Sequence, residues 1–166
     1  MTLIRPAFLS LILAAGVLSA GDYDAVIGAV KKAWPQVATL AVVCDSGSSK
    51  AALASLTGAS GGLTVVVVDV KGPQDMGKAI GALTGRKPDA IMLLAGDHVA
   101  GDGSSAASFL IQRMAAMKIP TAATTEAGVK QGAALGIGSG TGGKLLSNAK
   151  VAAVAGVAVP AGATAL

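Results

Sequence analysis

Apolar positions along the chain fall into two alternating spacings, and their order predicts the elements. Between Asp24 and Trp34, the residues Val26, Ile27, Val30, Ala33 and Trp34 recur at helical spacing, and Pro35 ends the pattern. Val37 to Val43 then reads as a buried strand, and Lys50 to Leu56 as a short Ala-rich helix. Leu63 to Asp69 contains four consecutive valines, which restrict χ1 in a helix and pack well on a pleated surface, so it predicts a strand. Pro73 and Asp75 open a helix that places Met76, Ile80 and Leu83 on one face. Ala90 to Ala95 is the third strand. Ser104 or Ser105 caps a longer helix with Ala107, Leu110, Ile111, Met114 and Met117 on its inner stripe. Ile119 to Thr124 is the fourth strand, with Pro120 tolerated at its start. A short helix over Glu126 to Gln131, a fifth strand over Ala133 to Ile137 and a last helix over Gly142 to Ala152 complete the series.

Strands that are apolar throughout and alternate with helices imply a mostly parallel sheet covered on both faces. Right-handed crossovers leave few arrangements, and a doubly wound α/β domain with a five-stranded sheet is the expected fold. No internal repeat or linker divides the chain. The expected organisation is a leader over 1–21, one domain over 22–157 and a tail over 158–166.

The leader follows from the first residues. Arg5 is the single charge before an uncharged run, Ala7 to Leu18, and the small residues Ser19, Ala20 and Gly21 precede the first acid, Asp22. That is the pattern of a secretory signal, shorter than the roughly 20 apolar residues of a spanning helix. Export to the periplasm or the medium is the expectation, with no membrane span once the signal is removed. Leu18 fits the cleavage rule poorly and leaves an uncleaved anchor as the alternative. No Cys stands at the junction to carry a lipid.

Charge changes the picture little. The formal charge is +4, but the basic residues are scattered and adjacent only at Lys31-Lys32 and Arg86-Lys87, without an interleaved aromatic stripe. Nucleic acid is therefore not an expected partner. The single Cys44 ends an apolar run and is expected to be buried. With one Cys and one His, the familiar sulfur and nitrogen zinc sites cannot be assembled, and no cofactor is expected.

Ligands of doubly wound sheets bind beyond the carboxyl ends of the strands. Three polar loops fall there: Asp45-Ser46-Gly47-Ser48-Ser49, Gly96-Asp97-His98, and Thr124-Thr125-Glu126. They bring carboxylates, hydroxyls and helix N-termini to one edge, although Ser, Asp and Thr at such positions also serve as ordinary helix caps. His98 beside Asp97 can act as a base, but no nucleophile is fixed to the pair and no GxSxG elbow occurs. No catalytic role is assigned. The run Gly138-Ser-Gly-Thr-Gly-Gly143-Lys144 satisfies both GxxxxGK and GxGxxG. Leu145 stands where a Walker loop needs Ser or Thr, and no acid follows about twenty residues on to hold a ribose, so a glycine-rich turn is the reading.

The order of these loops resembles a known family. Trp34-Pro-Gln-Val37, Leu40-Ala-Val-Val-Cys-Asp-Ser-Gly-Ser-Ser49 and Lys87-Pro-Asp-Ala-Ile-Met-Leu-Leu-Ala-Gly-Asp97 are part of the match. Met117-Lys-Ile-Pro-Thr-Ala-Ala-Thr-Thr-Glu126, running into Gly128-Val-Lys-Gln-Gly-Ala-Ala-Leu135, is its most specific piece. Residues 22–153 are similar to the second lobe of ABC-transporter substrate-binding proteins of the tryptophan or aromatic-amino-acid type. The resemblance implies a non-catalytic module that holds a small solute, an amino acid or a small carboxylate, between two lobes. It makes Ser46, Ser48, Asp97, Thr125 and Glu126 ligand-facing, beside Asp45, His98 and Thr124 from the same loops. The family's first lobe has no counterpart in these residues, so the expected partner is a second copy or a separate transporter protein. The other class compatible with the residues is a structural or interaction domain of the same fold without a working pocket.

Overall fold

The computed structural model of the chain describes residues 20–138 and 143–166. Most of the expected leader and the middle of the glycine run lie outside the described residues. Helix α1 spans Ala20–Ala33, and Trp34 and Pro35 end it. Strand β1 (Thr39–Cys44), helix α2 (Lys50–Ala59) and strand β2 (Thr64–Asp69) follow. A 3-10 turn at Pro73–Asp75 leads into α3 (Met76–Arg86), because Pro73 fixes φ where no helical N–H is yet required. Lys87, left-handed at φ 47°, turns the chain into β3 (Ala90–Met92). Then come α4 (Ser105–Ala116), β4 (Thr121–Ala122), α5 (Glu126–Lys130), β5 (Leu135–Gly138), β6 (Lys144–Ser147), α6 (Ala149–Ala155) and β7 (Thr164–Ala165).

The sheet has seven strands in the order β2-β1-β3-β4-β5-β6-β7. The first five in chain order are mutually parallel, which is the expected doubly wound arrangement. Two strands were not expected. β6 runs antiparallel to β5, with Gly138 opposite Lys144 and Leu135 opposite Ser147, and β7 pairs parallel to β6. The expected helix from Gly142 is therefore wrong in its first half: Lys144–Ser147 is a strand, and α6 begins only after Asn148, whose side chain accepts from Val151 N (3.2 Å). The glycine run thus joins two antiparallel strands, and a strand rather than a helix follows Gly143. The tail also takes part in the fold, because Leu166 N donates to Ser147 O (2.9 Å).

Alternation along β1 shows how the sheet is covered. Leu40, Val42 and Cys44 pack with Val26, Val30 and Trp34 of the α1 side, whereas Ala41 and Val43 pack with Met76, Leu83, Leu110 and Met114 of α3 and α4. Each of these side chains is essentially inaccessible, and burying a Val, Leu or Met contributes about 1.5–3 kcal/mol. Trp34 also donates its indole N–H to Ala158 O (3.1 Å), fastening the C-terminal segment to α1. Cys44 is buried, as expected, and its thiol is pushed up to about 12, first by burial and then by the carboxylates of Asp97, Asp69 and Asp45. Met117 departs from the expected inner stripe of α4: it is the residue after the last turn and is exposed. Among the described residues no helix is long and apolar enough to cross a membrane.

Candidate functional site

Parallel strands end together, so the segments after β1, β2, β3 and β4 meet at one edge of the sheet. Asp97, after β3, is the centre of the first group of side chains. It is buried, and both of its oxygens are used twice. Oδ2 accepts from Asp45 N (2.9 Å) and from Ser49 Oγ (2.6 Å), while Oδ1 accepts from Val99 N (3.0 Å) and Ala100 N (2.8 Å). A carboxylate has about four lone-pair sites, and here all four are occupied by the protein. Asp97 therefore holds the loop after β1 against the loop after β3, and it has no acceptor left for a ligand.

Around it lies a more open layer. Asp45 Oδ1 accepts from Gly47 N (2.9 Å) and from Lys71 Nζ (2.6 Å). Asp69 Oδ1 accepts from Ser46 N (2.9 Å), Ser46 Oγ (2.6 Å) and Lys71 Nζ (3.1 Å). The Ser46 hydroxyl, followed by its backbone N–H and the Lys71 ammonium, holds the Asp69 carboxyl down at about 2. The Lys71 ammonium first, and Gly47 N second, hold that of Asp45 below the usual range, and the two carboxylates in turn raise Lys71. Ser48 Oγ lies 3.1 Å from His98 Nδ1, and His98 Nε2 lies 3.6 Å from Asp45 Oδ2. This is a hydroxyl–imidazole–carboxylate chain, but its imidazole is 57% exposed and its carboxylate is shared with Lys71. Such a chain offers hydrogen-bonding groups that can change donor and acceptor roles; the water-excluded surroundings of an efficient nucleophile are missing.

The third predicted loop forms a second group. Thr124 is buried, and its hydroxyl has no hydrogen-bond partner among the described residues. Thr125 caps α5, accepting from Gly128 N (3.2 Å), and donates its hydroxyl to Asp102 Oδ2. Glu126 is spent partly on an i,i+4 pair with Lys130 (2.6 Å). Burial raises the Asp102 carboxyl above its ordinary range, against the opposing bonds from Thr125. Gln131 closes the group, accepting from Gly103 N (2.7 Å) and donating to Ser104 O (2.9 Å). The loop after β3 thus carries Asp97 near one end and Asp102 near the other, and it fixes the two groups along one edge.

Asp45, Ser46, Ser48, Asp97 and His98 are brought into one hydrogen-bonded group and Thr125 into its neighbour, whereas the side chains of Thr124 and Glu126 flank Thr125 without bonding to that group. Five contributors were not among the expected site residues: Ser49, Asp69, Lys71, Asp102 and Gln131. Asp69 and Lys71 follow β2 and satisfy the same strand-end rule, which makes them recoverable from the sequence. Ser49 looks like the cap of α2, but its side chain does not cap and bonds Asp97 instead. Among the described residues no group of three or more His, Cys, Asp and Glu side chains could hold a metal ion.

No protein-family model matches this chain, and no curated protein matches it. Solved structures do. An ABC domain from Streptococcus pneumonia, in complex with L-Trp, superposes with a TM-score of 0.71 at 19% identity, covering 87% of this chain and 61% of that one. A conserved domain protein from Vibrio cholerae gives a TM-score of 0.72 at 19% identity, over 86% of this chain and 59% of that one. The fold is that of a periplasmic-binding-protein-like lobe. A third structure agrees: the ligand-free, open form of a substrate-binding protein with adhesive properties from Clostridium difficile, with a TM-score of 0.66 at 16% identity, over 85% of this chain and 58% of that one. The lobe spans about three-fifths of the length of the structures it matches. At these identities the likeness establishes the fold alone.

Proposed function

We propose that this chain is an exported, non-catalytic module that binds a small solute, an amino acid or a small carboxylate, at the strand-end edge of the lobe. The observation that carries this reading is the convergence of Ser46, Ser48, His98, Thr125 and Glu126 at the edge where ligands of doubly wound sheets bind, in a fold shared with substrate-binding proteins. Asp97 and Asp45 act as positioning residues in it, because their oxygens already hold the loops. The lobe corresponds to the second wall of a two-walled cleft, and the opposing wall is supplied from outside residues 20–166, by a second copy or by a separate transporter protein. One wall buries one side of a solute and binds it weakly.

A thermal-shift screen against amino acids and small carboxylates tests the reading. A stabilising solute is expected, and the shift should shrink in Ser48→Ala and His98→Ala, both of which leave the Asp97 bonds intact. If no solute stabilises the protein, the alternative gains: a structural or interaction domain that keeps the fold without a pocket. The observation favouring that alternative is the internal satisfaction of Asp45, Asp69 and Asp97. Export is tested separately by cell fractionation and the mass of the mature chain, which also distinguishes removal of residues 1–21 from an uncleaved anchor.

A further inference from the structure

The two edges of the sheet are finished differently. At one edge β7 has only two residues, and a very short outer strand gives another chain little to pair with. At the other edge β2 keeps six residues in unbroken parallel register with β1, from Thr39 opposite Thr64 to Cys44 opposite Asp69. Between Thr64 and Asp69 there is no Pro, Gly, Lys or bulge, the devices that usually blunt an outer strand. Val67 is 39% exposed, and Val65, Val66 and Val68 are half-buried. Asp69 closes the strand, but its carboxylate is turned to Ser46 and Lys71.

The backbone parity of this edge can be read from its ends. Thr64 N donates to Ala38 O (2.8 Å) and Val70 N donates to Cys44 O (3.0 Å). Because the N–H and C=O of a strand residue point to one side and alternate along the chain, Thr64, Val66, Val68 and Val70 face β1. Val65, Val67 and Asp69 present their N–H and C=O groups outward. These outward positions are symmetric about Val67, so the edge is complementary to itself: donors meet acceptors when an identical strand runs antiparallel with Val67 at the centre.

We propose that two copies of the chain associate through β2, antiparallel about a two-fold axis at Val67, and join their sheets into one. In this register Val67 faces the partner's Val67, and Val65 faces the partner's Asp69. No like charges meet, because the two Asp69 side chains stand four residue positions apart, about 13 Å, beyond the roughly 8–10 Å over which salt leaves exposed charges interacting. The axis is normal to the sheet, so the strands of the two copies run in opposite directions. The two strand-end sites then lie at opposite ends of the joined sheet, and neither copy closes the other's site. The inference is independent of the proposed solute and assigns the opposing wall of the site to a different protein surface.

Light scattering on the size-exclusion peak of the full chain should give twice the 15.9 kDa chain mass. Val67→Lys sets like charges against each other at the axis, and Val67→Pro deletes an N–H that donates nothing to β1. Both should return the peak to one chain mass with circular dichroism unchanged, while Val154→Lys, at an exposed position of α6, should leave the dimer intact. Amide exchange gives a second readout that needs no variant: the N–H groups of Val65, Val67 and Asp69 should become protected as concentration rises. A single-chain mass at every concentration overturns the proposal. So does a dimer that survives both Val67 substitutions with those three amides exchanging freely.

Discussion

Replacing Asp97 by Asn tests whether this carboxylate holds the loops together. The substitution keeps the size of the side chain and exchanges one acceptor oxygen for a donor NH2 group. If the NH2 takes the place of Oδ2, the Ser49 hydroxyl can turn and accept from it, but the Asp45 N–H is left facing a donor. If it takes the place of Oδ1, both Val99 N and Ala100 N are left without an acceptor. The first arrangement is the cheaper. An orphaned buried donor costs about 1–3 kcal/mol, and the three remaining bonds fall from charge-assisted to neutral, about 0.5–1 kcal/mol each, so the loss is about 2.5–6 kcal/mol. For a domain of this size that lowers Tm by roughly 5–25 °C. Thermal and urea unfolding of the wild type and Asp97→Asn measure it directly. Amide exchange should speed up selectively at Asp45, Val99 and Ala100, while the core amides of β1 and α4 keep their order of protection. A loss below about 0.5 kcal/mol, the scatter expected for an ordinary surface substitution, would refute the reasoning.

Other outcomes follow from the same geometry. Gly101→Ala should prevent stable folding, because a Cβ there would sit 2.2 Å from Asp97 O and 2.9 Å from Leu94 O, both rigid backbone. Gly81→Ala, in the exposed middle of α3 with nothing near its Cβ, should instead stabilise by about 0.5–1 kcal/mol in urea unfolding. Because burial raises the folded-state pKa of Asp102, its carboxyl favours the folded state most when protonated. Measured against non-titrating Asp102→Asn, the wild type should therefore lose relative stability as pH rises from below 3.8 through the raised pKa; a relative gain in that window would contradict the burial argument. Finally, hydrolysis of p-nitrophenyl acetate should not exceed that of the His98→Ala variant by more than the contribution of a free imidazole. A Ser48-dependent burst of p-nitrophenol would make the Ser48–His98–Asp45 chain catalytic.

The main elements were legible because their signals are physical and local. Four valines in β2, Pro35 after α1 and the serine before α4 each restrict the backbone, and the parallel core follows from strands apolar on both faces. Lys144–Ser147 was not legible as a strand. Its Leu145 and Leu146 fit a helix as well as a strand, and pairing with β5 decided between them. The same is true of Thr164–Ala165, two residues with no pattern of their own. At the site, the rule that polar loops gather at strand ends found both groups of residues. It could not say which carboxylates were free. Asp97 was one of the expected ligand-facing residues, yet it is fully occupied, because four donors from two loops converge on it. Asp69 and Lys71 were reachable by the same rule and lie at the end of the strand whose run of valines drew the reading to its core.

A titration followed by amide chemical shifts, using amino acids and small carboxylates against the labelled protein, most directly tests whether the strand-end edge binds a solute. Saturable shifts confined to Ser46–Ser49, Asp97–His98 and Thr124–Glu126 are the expected result. Shifts that map to the opposite edge of the sheet, or none with any solute of either class, would contradict it.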